Sequence, residues 1–253
     1  MKTITILGAG WLGTALAKKL QSNYQIKVST RTVDKQKALI QNDLNAFITD
    51  FNTDATENYD VLFHNVDVLI VSLTPQPISV FKKIEKVIQQ YQIKQVLLFS
   101  STGIYGDLEG NVYENTQLNT HLPRVALLKE IEDLFLHNSN FNTTVLRLGG
   151  LIGGDRHPVK SLARKDQITD GNEPVNIAYR DRIIKIIESL LSDDLPNDVF
   201  NYVEDDHRTK EVYYTEAAEK YQLKLPKFIS NAVPKNRIVS AEKINAYIKK
   251  NRA

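Results

Sequence analysis

Cysteine is absent from this chain of 253 residues, which excludes disulfides, thiolate metal sites and a cysteine nucleophile, so any chemistry rests on oxygen and nitrogen groups. A surplus of charge is missing as well, since 32 Lys and Arg residues stand against 30 Asp and Glu, a net charge of +2. A chain so balanced has no field to draw it to nucleic acid or to an anionic membrane, and it carries neither a basic stripe nor an aromatic platform for stacking bases. No apolar run approaches the roughly 18 residues of a membrane-spanning helix. The segment Met1–Leu7 has a lysine and a short apolar run but no small-residue cleavage site, so it is expected to be a first strand rather than a signal peptide, and the protein to be cytoplasmic. Internal repeats and low-complexity tracts are lacking too. What is left, 42% hydrophobic and 25% charged residues, is the composition of a folded globular chain; oligomeric state stays open.

Short β-branched runs alternate with longer amphipathic stretches, the pattern of a parallel sheet with helices on both faces. Strands are predicted at Thr3–Leu7, Ile26–Thr30, Ala46–Thr49, Val68–Ser72, Val96–Ser100 and Thr143–Leu148. Helices are predicted over Trp11–Ser22, Asp34–Asn42, Pro77–Tyr91 and Pro123–Asn138, the last opening on a proline that loses nothing in a first turn. After about residue 150 the alternation weakens into a loop rich in glycine and charge, a helix over Asp181–Ser192 and a strand near Val199–Val203. The end, Ser240–Lys250, places Ile244, Tyr247 and Ile248 at helical spacing and should dock on the body. The expectation is an α/β fold, a doubly wound parallel sheet of Rossmann type at residues 1–150, with a smaller C-terminal substrate lobe at 151–253 packed on it as a single compact body.

The turn Gly8-Ala9-Gly10-Trp11-Leu12-Gly13 follows the first strand and opens the first helix, the context that gives a G-x-G-x-x-G pattern meaning. Gly8 permits the tight turn, Gly10 lets the backbone approach a pyrophosphate, and Gly13 lets helix and strand pack closely. The phosphates of a dinucleotide then meet free N–H groups and the positive end of a helix, beside Trp11 and Leu12. About 20 residues further on, where an acid would bind the ribose hydroxyls of NAD, the chain reads Ser29-Thr30-Arg31-Thr32. The guanidinium fork of Arg31, with Thr30, suits a 2′-phosphate and favours NADP, with NAD still possible. Ser72 and Ser100, at the carboxyl ends of the fourth and fifth strands, complete the expected cofactor contacts.

The fifth strand runs into Ser100-Ser101-Thr102-Gly103-Ile104-Tyr105-Gly106, and Arg147 precedes Leu148-Gly149-Gly150-Leu151-Ile152-Gly153 after the sixth. With the glycine turn, these segments resemble the extended branch of the short-chain dehydrogenase/reductase superfamily, the epimerases and dehydratases. The resemblance covers nearly the whole chain and implies that Ser101, with Thr102 nearby, polarises a substrate carbonyl. It also implies that a tyrosine moves the proton and that a lysine four residues later lowers that tyrosine's pKa and binds a ribose. The lysine matches Lys129, but the tyrosine position holds Val125. The pattern is similar to a narrower, atypical group, the YeeZ-like bacterial proteins, in Gly10-Trp11-Leu12-Gly13, in Ser101–Gly106, in Gly154-Asp155-Arg156-His157-Pro158 and in Arg237–Asn245.

Tyr105, Tyr113 and Tyr179 are the phenols that could replace the lost acid. Arg156 and His157, in a glycine-bounded loop, and Tyr179 are the candidates for contact with an anionic or polar substrate. His64, His121 and His207 have no partners at metal-ligand spacing, so no metal site is expected, and Glu204-Asp205-Asp206 reads as a solvated turn. Two functions fit: an NADP-dependent oxidoreductase or epimerase-type enzyme, and a cofactor-binding sensor without turnover, for which Val125 speaks.

Overall fold

A computed structural model describes residues 1–165, 167–229 and 235–251. The first half alternates strand and helix: β1 (Thr3–Leu7), α1 (Trp11–Leu20), β2 (Gln25–Thr30), α2 (Val33–Ile40), β3 (Asn45–Ile48), α3 (Tyr59–Phe63), β4 (Val68–Val71), α4 (Ile78–Gln90) and β5 (Gln95–Ser101). A 3-10 turn at Thr102–Tyr105 and β6 (Gly110–Val112) lead to α5 (Pro123–Leu136) and β7 (Asn142–Leu148). The remainder holds β8 (Gly150–Ile152), α6 (Val159–Leu162), β9 (Ile177–Tyr179), α7 (Arg180–Leu191), β10 (Asp198–Tyr202), α8 (Lys210–Lys220), β11 (Arg237–Val239) and α9 (Glu242–Asn251).

Seven strands form one sheet in the order β10-β7-β5-β4-β1-β2-β3, and β6–β11 and β8–β9 form two small parallel pairs. The order runs outward from β1 in both directions, so the chain switches sides between β1 and β4; ligands of such sheets bind beyond the carboxyl ends at that point. Register fixes the neighbours there, with Leu7 opposite Val71 and Ile6 opposite both Ile70 and Val28. All four residues of β4 are buried, as a strand covered on both faces requires, which is why it reads as an unbroken Val-Leu-Ile-Val run.

The contacts divide the chain into two compact units, the first made of Met1–Ser100, Ala126–Leu146 and Ile186–Val199, the second of Ser101–Val125, Arg147–Lys185 and Phe200–Ala253. The chain therefore contributes 101–125 to the second unit, where the sequence pattern put one boundary at residue 150. In the first unit, α4 turns Val80, Phe81, Ile84, Val87 and Ile88 inward onto a core that includes Leu69, Val71, Val96 and Leu98. Burying each such side chain is worth roughly 1.5–3 kcal/mol, and these contacts fix the ends of β1 and β4, through Leu7 and Val71, on which the glycine turn depends. Helix α2 begins at Val33 because the Thr32 side chain accepts from the Lys35 amide at 3.4 Å.

In the second unit Ile152, Val175, Ile177 and Tyr213 make a smaller apolar cluster, and Ile244 of α9 is fully buried while Tyr247 packs on Phe200 at 5.2 Å. His64 follows α3 as its C-cap and is exposed. Glu204 departs from the solvated turn read in the sequence: it is 5% exposed, accepts from the Tyr202 hydroxyl at 2.8 Å and pairs with Arg182. Among the described residues no helix is long and apolar enough to cross a membrane.

Candidate functional site

In the first unit the ends of β1, β2, β3 and β4 enclose a cleft of about 260 Å³. Gly8 leaves β1 with φ +95°, and a Cβ there would stand 2.6 Å from the Ser72 carbonyl oxygen, so only glycine fits. Gly13 meets the Gly8 carbonyl in the same way, which locks the first turn of α1 against the loop. Gly10 differs: a Cβ on it would meet no atom within 4 Å. It is the N-cap of α1, no side chain caps that end, and the first turn holds no acid. The positive end of a ten-residue helix thus starts at the Gly10 backbone, which lines the cleft, with Lys18 and Lys19 complementing the dipole at the far end.

Ser29, which sequence reasoning missed, holds the turn in place. Its Oγ accepts from the Gly8 amide at 3.0 Å, its carbonyl accepts from the Ala9 amide at 2.8 Å, and it is 4% exposed. Only the strand pairing of β1 with β2 reveals this role, because the two segments lie about 20 residues apart in sequence.

Gly8, Gly10, Thr30, Arg31 and Ser72 all line the cleft, joined by Asp50, Phe51, Asn52, Leu73 and Gln76 from loops that the sequence pattern did not single out. The Asp50 carboxyl lies below the usual carboxylate range, chiefly because the Asn52 amide and side chain donate to it at 3.0 and 2.8 Å, with the Arg31 charge adding to the effect. Leu12 is buried on the core face of α1 and Trp11 is half-buried at its first position, so neither lines the cleft. Ser100 corrects the expected contact set. Its hydroxyl donates to the buried Glu132 at 2.6 Å and is not in the cleft wall.

Lys129, on α5, sits within 2.6 Å of both Asp133 oxygens, an i,i+4 pair along one helix face.

In the second unit Ser101 Oγ accepts from the Gly103 amide at 3.0 Å, which leaves its own proton to donate elsewhere. Arg124 lies beside it: the place a Gly103 Cβ would occupy is 3.2 Å from both Ser101 Oγ and Arg124 Nη2. Arg124 was not singled out in the sequence, because its place beside Ser101 comes from the fold and not from a local motif. Val125 is buried, and a Cβ on Gly106 would stand 2.8 Å from its methyl group, so this position packs a turn.

Tyr105 is corrected from candidate acid to buried anchor. It has no exposed surface; its hydroxyl accepts from Arg147 at 3.0 Å and lies 2.7 Å from Asn201 Oδ1 and 3.0 Å from the Tyr113 carbonyl. Burial pushes its pKa up, against the pull of Arg147. Glu114 joins the same group, its carbonyl accepting from Arg147 and its carboxylate from the Asn201 amide. Tyr113 is exposed.

Arg156 is exposed, whereas His157 is buried at 8% exposure and lines a second cavity with Tyr179. The loop therefore separates two residues that the sequence paired. His157 stacks on Tyr213 at 5.9 Å, and its pKa is lowered by burial and then by Lys160 and Lys220. His121 is exposed, and His207 Nδ1 lies 3.1 Å from the Val175 carbonyl.

Several known proteins are similar to this chain. Protein YeeZ of Escherichia coli K12 is 28% identical over 241 residues, 90% of this chain and 87% of that protein. A functionally unknown conserved protein from Silicibacter pomeroyi superposes with a TM-score of 0.79 at 20% identity, covering 98% of this chain and 93% of the other. The UDP-glucuronic acid 4-epimerase of Bacillus cereus, in complex with NAD, superposes with a TM-score of 0.78 at 17% identity, covering 98% and 90%. Residues 8–177, about two thirds of the chain, match the family described as NAD(P)H-binding. The chain thus belongs to the NAD(P)H-binding family, with the fold of the extended, epimerase/dehydratase-like short-chain dehydrogenase/reductases.

Proposed function

We propose that the chain is an NADP-dependent oxidoreductase of epimerase or dehydratase type acting on a small polar substrate. The observation that carries this reading is the start of α1 at Gly10, which no side chain caps, which leaves room beside its backbone, and which lines a cleft whose wall includes Thr30 and Arg31. These residues fit a pyridine dinucleotide: the amides suit a pyrophosphate, Arg31 a 2′-phosphate, and Phe51 and Leu73 an adenine ring. A dinucleotide held there would bring the capacity to give or accept a hydride.

The chain's own residues supply the rest. Ser101 directs its free proton to a substrate carbonyl oxygen, with Thr102 as the neighbouring hydroxyl, and Arg124 holds the negative charge that grows on that oxygen. Lys129, the lysine of the family pattern, exchanges Asp133 for a ribose hydroxyl. His157 and Tyr179 meet the substrate.

Calorimetry with NADPH and NADH on wild type and Arg31→Ala tests the cofactor. The wild type is expected to favour NADPH by about tenfold or more, the value of a charge-assisted hydrogen bond. A preference that survives the substitution refutes the role of Arg31. Val125, packed on Gly106 where the family pattern has a phenol, favours a second reading, a cofactor-binding sensor. Tight NADPH binding with no change in cofactor absorbance across a panel of sugars and small carbonyl compounds decides for the sensor.

A further inference from the structure

The cavity at His157 measures about 330 Å³, within the range of small-molecule pockets, roughly 300–1,000 Å³. Its wall contains three phenols, Tyr179, Tyr213 and Tyr221, and its protons can be assigned one by one. His157 Nδ1 accepts from the Val159 amide at 3.2 Å, so in the neutral ring the proton is on Nε2. That N–H points to the Tyr213 hydroxyl at 3.5 Å, and Tyr213 is itself only 7% exposed. With its oxygen accepting from His157, Tyr213 donates to the Tyr179 hydroxyl, 3.0 Å away. The Tyr179 proton ends the chain. Among the described residues it has no acceptor, and Tyr179 lines the cavity.

Charge in the cavity wall points the same way. Arg208 is held by Asp206 at 2.8 Å and by Glu216, so the Glu216 carboxylate is already matched. Lys220, on the last turn of α8, lines the cavity without a carboxylate partner among the described residues. The charges felt at His157 are those of Lys160 and Lys220, both positive. A donor row that ends on an open hydroxyl, in a wall that also carries an exposed ammonium without a carboxylate partner among the described residues, calls for an acceptor with negative charge.

We propose that this cavity is an oxyanion site, which takes the carboxylate or phosphate group of a small metabolite on the Tyr179 hydroxyl and the Lys220 ammonium. The inference rests on the proposed substrate role of His157 and Tyr179 for its biological occupant, and it adds the chemical class of that occupant. Arg156, the cation the sequence offered for this task, does not line the cavity.

Inorganic phosphate and, separately, acetate are titrated into isotopically labelled protein while the ring resonances of His157 are followed by NMR. At least one anion is expected to give a saturable shift, weakened about tenfold in Tyr179→Phe and in Lys220→Gln, with unchanged amide dispersion in both variants. A response to phosphate alone identifies a phosphorylated metabolite, and a response to acetate alone a carboxylate. The absence of any saturable shift, or equal affinity in both variants and wild type, overturns the proposal. NADPH calorimetry on the same samples keeps the two readings apart: phosphate binding without NADPH binding removes the cofactor reading and leaves the oxyanion site, and the converse removes the site alone.

Discussion

Replacing Gly10 by alanine should separate ligand binding from folding. The backbone there has φ −74° and ψ −161°, which any residue adopts, and an added methyl meets no protein atom within 4 Å. The loss in stability is therefore only that of a poorer N-cap, about 0.5–1 kcal/mol. At Gly8 the same methyl must accept φ +95° and a contact of 2.6 Å with the Ser72 carbonyl. Left-handed strain of about 1–2 kcal/mol and overpacking of about 1–3 kcal/mol add to roughly 2–5 kcal/mol. Urea unfolding should thus place Gly10→Ala near wild type and Gly8→Ala far below it. Calorimetry with NADPH should show the opposite contrast for Gly10→Ala, a loss of tenfold or more, because the methyl fills the space that the phosphates need. Wild-type affinity in Gly10→Ala, or a fall in stability equal to that of Gly8→Ala, would refute this account of the turn.

Two further outcomes follow from buried polar groups. Ser29→Ala strips the acceptor from the Gly8 amide, so it should cost about 1–3 kcal/mol and weaken NADPH binding by disordering the turn, measured by urea melts and calorimetry; no change in either would show that Ser29 does not hold the loop. His157 has a folded-state pKa below its ordinary value through burial and then Lys160 and Lys220, so its contribution to stability is full above about pH 6.5 and is lost as pH falls through the lowered value. Thermal melts between pH 8 and 5 should therefore show a steeper acid loss in wild type than in His157→Gln, and parallel curves would mean that the ring does not titrate in this way.

The sheet was legible because its strands are buried on both faces: β1 to β5 and β7 each lie within one residue of their predicted ends, since Val-Leu-Ile-Val runs flanked by polar turns admit little else, whereas the short β6 outside the sheet was not predicted. The second half was harder for the same reason in reverse. Strands β8, β9 and β11 have three residues each, too few to show a period, and α8 buries only Tyr213 and Ala218, so no apolar stripe marks it. In the cleft, the glycines were readable from local pattern, but Ser29, Asp50 and Asn52 reach it only through strand pairing and loop course. Glu204 is the plainest example, a charged residue in an acidic run that is nonetheless sealed beneath Tyr202 and Arg182.

The knot at Tyr105 bears on how the second unit tolerates change. Arg147, Asn201 and Glu114 come from four segments together with Tyr105, and each satisfies polar atoms of another, so removing any one strands the rest without water to replace it. Greasy side chains can be exchanged for others of similar bulk, but this quartet admits no piecemeal revision. Drift in that half of the molecule should accordingly gather on its rim and spare these four positions together or not at all.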